Sequence, residues 1–165
     1  MAAGVALLLL AGYVVDGQLR DRELRRLLGR IEAAQATATY ADNRVAAMAQ
    51  YASPLLTSAE VTPTVRRGLE QLVEQAAAGQ LPDVQRSVAA TETSVLPWHH
   101  ALRAARDRYR SYARHRLDVL RAGSMRIDAL RTPHPELAAE LDEVRGALTA
   151  AGASPRQVDA ALRAA

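Results

Sequence analysis

The hydrophobic pattern of the chain begins with an uncharged apolar run, MAAGVALLLLAGYVV, over residues 1–15. As a helix this run is about 22 Å long, against a hydrocarbon core of about 30 Å. Thinning of the bilayer, with Tyr13 at the interface and the following arginines snorkelling, would let the run span a membrane. We therefore expect residues 1–16 to be a membrane-anchor segment and residues 17–165 to be a helical bundle domain. Burial in the core of an oligomer, or a processed secretory signal, is the alternative.

The orientation of such an anchor depends on the basic residues around it. Five arginines follow the run and none precedes it: Arg20, Arg22, Arg25, Arg26 and Arg30. Taken literally, the positive-inside rule places the bulk of a single-pass protein in the cytoplasm. A few more basic residues ahead of Met1 would reverse the orientation, so the sequence leaves the side of the membrane open.

A heptad pattern, typical of a coiled coil, follows the anchor. Its ten a and d positions are all apolar, and four of them are alanine: Leu24, Leu27, Ile31, Ala34, Ala38, Ala41, Val45, Met48, Ala52 and Leu55. Glycines weaken a helix but do not break it, so the anchor and this segment are expected to form one long helix. Ser53-Pro54 is expected to end it, because the residue before a proline avoids the α region.

Two further helices are predicted in the middle of the chain. Thr62-Pro63 supplies an N-cap followed by a proline at the first helical position. Gly79 and Pro82 are expected to close this second helix. A third helix is then expected from Asp83 to Val95.

The remaining apolar stripe predicts one more long helix and two short ones. Pro97 either breaks or kinks the chain, and a break is favoured because residues 17–52 and 98–131 then form two helices of matched length. This match predicts that the two long helices pair antiparallel, although a second copy of the chain could fill the same heptad seam in a homodimer. Shorter helices are expected over residues 137–148 and after a Ser154-Pro155 capping box. The predicted fold is an all-α antiparallel bundle of four or five helices, the first continuous with the anchor.

The composition supports this fold class and removes several kinds of chemistry. The 165 residues include 35 Ala and 22 Leu, whereas the β-branched and aromatic residues typical of strands are scarce. The absence of cysteine excludes disulfides, thiolate metal sites and a cysteine nucleophile. All 21 basic residues are arginine, which, with the alanine content, indicates a bacterium with a GC-rich genome.

The basic charge is concentrated in one predicted helix. Residues 98–131 contain nine Arg and three Asp, a net +6, while the whole chain carries only +3. Five of the arginines form what we call the arginine ridge: Arg103, Arg106, Arg110, Arg114 and Arg121. Four of them fall near one line along the helix, and Arg106 lies beside that line. The ridge is interpreted as a solvated helix surface. The alternative is a binding surface for anionic lipid or an acidic protein, and nucleic acid is the least favoured partner.

Two charged residues fall on apolar stripes. Asp42 lies on the stripe of the first long helix, and Arg116 lies on the stripe of residues 98–131. An antiparallel pairing of the two helices places Asp42 opposite Tyr109. We therefore predict a buried polar cluster in which the Tyr109 or Tyr112 hydroxyl donates to Asp42, with an ion pair to Arg116 as second choice. A polar lining for a bound ligand is the alternative interpretation.

No motif in the sequence indicates catalysis. His99 and His100 are adjacent, so they point about 100° apart on a helix and cannot chelate one ion together. Phosphate-binding loops, nucleophile elbows and Glu-x-x-His motifs are missing from the sequence. We therefore assign no catalytic, cofactor or metal residues. The sequence favours a membrane-anchored interaction protein (scaffold, adaptor or sensor-like module) with membrane lipid and a protein as partners. A ligand-binding sensor domain with a polar cavity between the long helices is the alternative.

Overall fold

A computed structural model describes the backbone of residues 2–163 and the side chains of residues 13–163 except residue 131. Within these residues helices are joined by short connections, and no strand is formed. The six helices are α1 (Ala2–Thr57), α2 (Pro63–Ala90), α3 (His100–Met125), α4 (Ile127–Arg131), α5 (Pro135–Ala150) and α6 (Pro155–Leu162). The predicted all-α bundle is confirmed, whereas the predicted number of four or five helices is too low.

Helix α1 is a single unbroken helix of 56 residues, which confirms the continuity of the apolar run with the heptad segment. The predicted end at Ser53-Pro54 is wrong, because the helix includes Pro54 and stops at Thr57. A proline this close to the end of a helix removes only one backbone hydrogen bond. The Thr57 hydroxyl donates to the carbonyls of Ser53 and Pro54, at 3.0 and 3.2 Å, and so satisfies the last turn.

Helix α2 joins two segments that the sequence predicts to be separate helices. Its start is as predicted, with the Thr62 side chain accepting from the Val65 N–H. Pro82 lies inside the helix instead of ending it. Val73, Ala77 and Val84 lie on one buried stripe that continues past this proline, and their burial outweighs the lost backbone hydrogen bond.

The break at Pro97 is confirmed, although it is longer than predicted. Residues 91–99 form a non-helical connection, and α3 begins at His100 instead of residue 98. Thr91 is the C-cap of α2, and its hydroxyl donates to the Val88 carbonyl at 2.6 Å.

The predicted helix 98–131 is interrupted once more near its end. Arg126 is extended, and the short α4 folds back towards α3. This return requires a glycine at position 123, because a Cβ there would lie 2.2 Å from Leu130 Cδ2. Leu130 thus packs directly on the α3 backbone.

The direction of the helices corrects the predicted pairing. Helix α2 returns antiparallel to α1, with Arg30 donating to the Ala90 carbonyl at 3.0 Å. Helix α3 then runs parallel to α1, since Asp16 lies beside Trp98 whereas Asp42 lies beside Arg116. The predicted antiparallel pair of residues 17–52 and 98–131 is therefore wrong. Helices joined by short connections alternate in direction, and the fusion of two predicted helices into α2 reverses every helix that follows.

The last helices complete the bundle. Helix α5 runs antiparallel to α3, with Arg108 bonded to Glu143 and His115 near Glu140. The turn before α6 returns to α1, where Arg20 donates to the Ala151 carbonyl at 2.9 Å. The predicted Ser154 capping box is confirmed.

The apolar heptad positions of α1 fill the core of the same chain. Eight of the ten are buried, and the two exposed ones are Met48 and Leu55. One part of the core surrounds Leu27, Leu102 and Tyr109, and a second part surrounds Val45 and Val73. Helix α1 packs chiefly on α2 and α6, with α3 reaching it through side chains.

Candidate functional site

Polar side chains join α1 to α3 at the level of Arg116. The Arg116 guanidinium donates to Asp42 Oδ2 from Nη2 at 2.5 Å and from Nε at 3.0 Å. It also donates to Gln35 Oε1 at 2.7 Å and, weakly, to Thr39 Oγ1 at 3.4 Å. We call these four residues the arginine bridge. The side chain of Arg116 is 16% exposed and that of Asp42 is 49% exposed, so the bridge lies at the edge of the core.

The predicted tyrosine bond to Asp42 is not formed, and the second-choice ion pair to Arg116 is present. Parallel helices place Asp42 level with Arg116 and well beyond Tyr109, which explains the difference. Tyr109 is buried, and its ring lies 6.0 Å from that of Tyr112. Burial and the neighbouring Tyr112 raise the pKa of Tyr109, opposed by Arg116. Burial lowers the pKa of Arg116, but Asp42 and Tyr112 outweigh it and the net shift is upward.

An apolar cleft opens beside the arginine bridge. Its volume is about 390 Å³, and it lies between α1 and the α3–α4 turn. Asp42 stands on its edge, and its walls are apolar: Val45, Ala46, Ala49, Leu120, Ile127 and Leu130. Arg116 and the tyrosines do not line this cleft, so the predicted cluster and the cleft share only Asp42.

The arginine ridge is used largely within the chain. Arg103 donates to the Pro97 carbonyl at 3.2 Å and Arg106 to the Thr93 carbonyl at 3.0 Å. Arg110 and Arg114 lie 2.5 and 3.6 Å from the carboxylate of Glu92. Arg121 pairs with Asp118 at 2.6 Å. Four of the five ridge arginines thus hold the 91–99 connection against α3.

A second polar site, which sequence reasoning missed, surrounds His99. Its Nδ1 lies 2.6 Å from Glu23 Oε2 and its Nε2 lies 3.2 Å from Asp16 Oδ1. The other oxygen of Glu23 accepts the Leu96 N–H at 3.1 Å, and Asp16 also accepts the Trp98 indole N–H at 2.8 Å. We call His99, Glu23 and Asp16 the histidine bridge. A glutamate seven residues after an aspartate on one helix was the only sequence indication of it.

The histidine bridge favours a protonated imidazole. The side chain of His99 is 4% exposed, and both ring nitrogens face carboxylates, an arrangement in which both donate only when the ring is charged. The bond to Glu23 raises the pKa of His99, opposed by burial and supported by Asp16. Bonds from Trp98 and then His99 lower the pKa of Asp16. The bridge therefore fastens the 91–99 connection to α1.

A third polar cluster joins α3 to the start of α5. His115 Nδ1 lies 3.1 Å from Glu140, and His134 Nδ1 lies 3.0 Å from Glu136. The backbone N–H of Glu136 and then His134 lower the pKa of the Glu136 carboxyl. No group of three or more His, Asp and Glu in the described residues is arranged to hold a metal ion. The cluster is a contact between α3 and the start of α5.

Exposed apolar side chains occur on two stretches of α1. Tyr13, Val14 and Val15 are exposed, and Leu24 is the first buried residue among the described side chains of the helix. The side chains of residues 1–12, which make up most of the predicted anchor, lie outside the described residues. Within the part that is described, no helix is both long and apolar enough to span a bilayer.

The far end of α1 contributes to a groove between α1 and α2. Its volume is about 420 Å³, and Met48, Tyr51 and Leu72 line it with their side chains exposed. We call this feature the distal groove.

Comparisons with protein families, with curated proteins and with solved structures find no match to the chain.

Proposed function

We propose that the chain is a membrane-anchored helical-bundle interaction protein, a scaffold, adaptor or sensor-like module without catalytic chemistry of its own. The observation that supports this proposal is the exposure of Tyr13, Val14 and Val15 on a helix that continues without a break into the bundle. These side chains end the apolar run of residues 1–15 and are not used in the chain's own core. Exposed apolar side chains at the end of an apolar run, followed by several arginines, fit insertion into lipid, which would cover these side chains.

The interaction role is favoured by the way in which the polar side chains are used. In the arginine bridge, the histidine bridge and the ridge, charged groups bond to one another and hold helices together. Ion pairs of this kind hold the elements of the bundle in a fixed arrangement, so that the bundle is a rigid support for a partner. The distal groove supplies the exposed apolar surface through which a rigid support binds a partner.

Fractionation of the full chain expressed in bacteria tests the anchor. We expect the native chain to sediment with membranes, to resist alkaline carbonate and to be released by detergent. The double variant Leu8→Arg/Leu9→Arg should move to the soluble fraction, because each arginine in a spanning segment costs about 2.5–3.5 kcal/mol. The matched control Met48→Arg/Leu55→Arg replaces exposed apolar residues of the bundle and should remain with the membranes. Recovery of the native chain in the soluble fraction contradicts the proposal.

The apolar cleft beside the arginine bridge favours a second candidate, a ligand-binding sensor domain. Apolar walls with Asp42 on the rim suit a small, largely apolar ligand with one polar donor. In this case an apolar fluorescent probe should bind saturably to the native chain. Ala49→Phe should fill the cleft and abolish binding, whereas Ala104→Phe, at an exposed site on α3, should not. Equal binding by the two variants contradicts a ligand role for the cleft.

A further inference from the structure

The distal groove combines large exposed side chains with small ones. Tyr51 is 82% exposed and Met48 is 41% exposed on the α1 side, and both protrude from the helix surface. Ala47 on α1 and Ala76 and Gly79 on α2 line the same groove and leave space between the helices. A Cβ added to Gly79 would meet no atom within 4 Å. The groove therefore offers both projections and holes on one face.

The charge of this face limits what it fits. The sequence of α1 contains no charged residue from Val45 to its end at Thr57. Among the described residues that line the groove, Arg44 alone is charged, and its guanidinium donates to the Tyr40 hydroxyl at 3.0 Å. A neutral apolar surface complements such a face, whereas a strongly charged partner such as nucleic acid does not.

A second copy of the same chain meets both requirements. A surface that has both projections and holes allows the projections of one copy to enter the holes of the other about a twofold axis, as in isologous interfaces. Its near-neutral charge means that two identical faces meet without strong repulsion. Tyrosine and methionine are also enriched at the centres of protein interfaces.

The size of the surface indicates where such pairing takes place. The exposed apolar side chains in and beside the groove supply roughly 500 Å², which is in the range of functional surface patches. A stable interface needs about 800 Å² from each partner, so the groove is too small to hold two copies together in dilute solution. Anchoring in one membrane raises the effective concentration and gives both copies the same orientation. Tyr51 lies 35 residues beyond Asp16, so the grooves meet about 50 Å along α1 from the end of the anchor.

We propose that two copies anchored in one membrane pair through their distal grooves, about a twofold axis that runs along α1. This inference rests on the proposed function, because the membrane supplies the orientation and the concentration that the small surface requires.

Cross-linking of the full chain in membrane vesicles tests the pairing. Because the chain has no native cysteine, only the introduced thiol of each copy reacts. Ala47→Cys places a thiol in the groove without removing Met48 or Tyr51. A short bismaleimide should convert this variant to a covalent dimer. Ala104→Cys, also a replacement of an exposed alanine, reports random collision and should give at most a few per cent of that yield.

A second substitution identifies the surface. In the Ala47→Cys background, Leu72→Glu puts a carboxylate into the groove and should lower the dimer yield at least fivefold. Met125→Glu, at an exposed apolar residue at the end of α3, should leave the yield unchanged. Because Leu72 and Met125 are both exposed, neither change disturbs the core.

The outcomes separate this inference from the proposed function. Equal yields from Ala47→Cys and Ala104→Cys, a yield that Leu72→Glu does not change, or cross-linking only to a protein of a different size overturns the pairing while leaving the anchor intact. Recovery of the chain in the soluble fraction contradicts the anchor. Without the anchor the small surface lacks the orientation and the concentration that the pairing requires, so this result overturns the pairing as well, whereas the cross-linking outcomes overturn the pairing alone.

Discussion

The histidine bridge and the arginine bridge join α1 to later parts of the chain at two levels, and they differ in solvation. His99 is almost completely buried, and Glu23 beside it has a side chain only 15% exposed. In the arginine bridge, Arg116 is largely buried but the carboxylate of Asp42 is half exposed. A charge that is removed from water depends on its partner, whereas a half-exposed one retains water as an alternative. The ion pair of the histidine bridge should therefore contribute more to the free energy of unfolding than that of the arginine bridge.

Removal of the imidazole should give the largest effect. We expect His99→Ala to lower the free energy of unfolding by about 2–4 kcal/mol, because Glu23 is left largely buried without its charged partner. Chemical unfolding followed by circular dichroism measures this change. His100→Ala, at the neighbouring exposed position, should stay within about 0.5 kcal/mol of the native chain. Similar losses from the two variants would show that the histidine bridge does not stabilise the bundle.

Arg116→Ala should destabilise the bundle by about 1–3 kcal/mol, because Gln35 and Thr39 are buried and lose a donor. Arg116→Lys should recover little of this loss, since an ammonium does not reproduce the planar guanidinium with its several partners. Arg108→Ala, at an exposed ion pair on the same helix, serves as the control and should cost less than about 1 kcal/mol. Full rescue by lysine would contradict the role of the fork geometry.

The two bridges should also differ in pH dependence. The folded state raises the pKa of His99, so the bridge contributes fully below the unfolded pKa and loses its contribution as the pH rises through the raised folded value. The charged groups that face His99 are the carboxylates of Glu23 and Asp16, and Arg20 lies near Asp16. The stability difference between the native chain and His99→Gln should therefore shrink from pH 6 towards alkaline pH. The difference between the native chain and Arg116→Ala should remain constant from pH 6 to 9, and parallel curves for the two variants would contradict the assignment.

Asp42→Ala should have the smallest effect, about 0.5–1 kcal/mol, because its carboxylate is half exposed. This effect should vanish in 1 M NaCl, where charges are screened within about 3 Å, while the His99→Ala effect should persist. Asp42→Leu should be close to neutral, since it extends the apolar wall of the adjacent cleft. A loss above 2 kcal/mol that is insensitive to salt would show that Asp42 is a buried partner after all.

The helices show which features of the fold can be predicted from the sequence. The heptad of α1, the Thr62 and Ser154 caps and the break at Pro97 depend on local chemistry, and each is predicted correctly. The role of Pro82 depends on whether burial on both sides of it outweighs one lost hydrogen bond, which is a property of the tertiary structure. Reading this proline as a helix end added one helix and thereby inverted the direction of α3.

The wrong predictions about the candidate site have related causes. An inverted α3 places Asp42 opposite Tyr109, so the sequence favours the tyrosine and ranks Arg116, which does bind Asp42, second. The sequence presents His99 only as a neighbour of His100, because its partners Asp16 and Glu23 lie more than 70 residues away. Glu92, which binds Arg110 and Arg114 of the ridge, is not predicted either, because the sequence places it in a helix and not in the connection that packs on α3.

The parallel arrangement of α1 and α3 fixes the levels of both bridges and of the cleft, and spin-label distances test it most directly in this cysteine-free chain. One label is placed at Arg25 on α1, and the second is placed at Arg103 or at Asp118 on α3. Residues 103 and 118 are separated by about 22 Å along the helix axis. The arrangement described here predicts a distance from Arg25 to Arg103 that is shorter than the distance to Asp118 by about 10 Å or more. The opposite order would contradict it and restore the antiparallel pair.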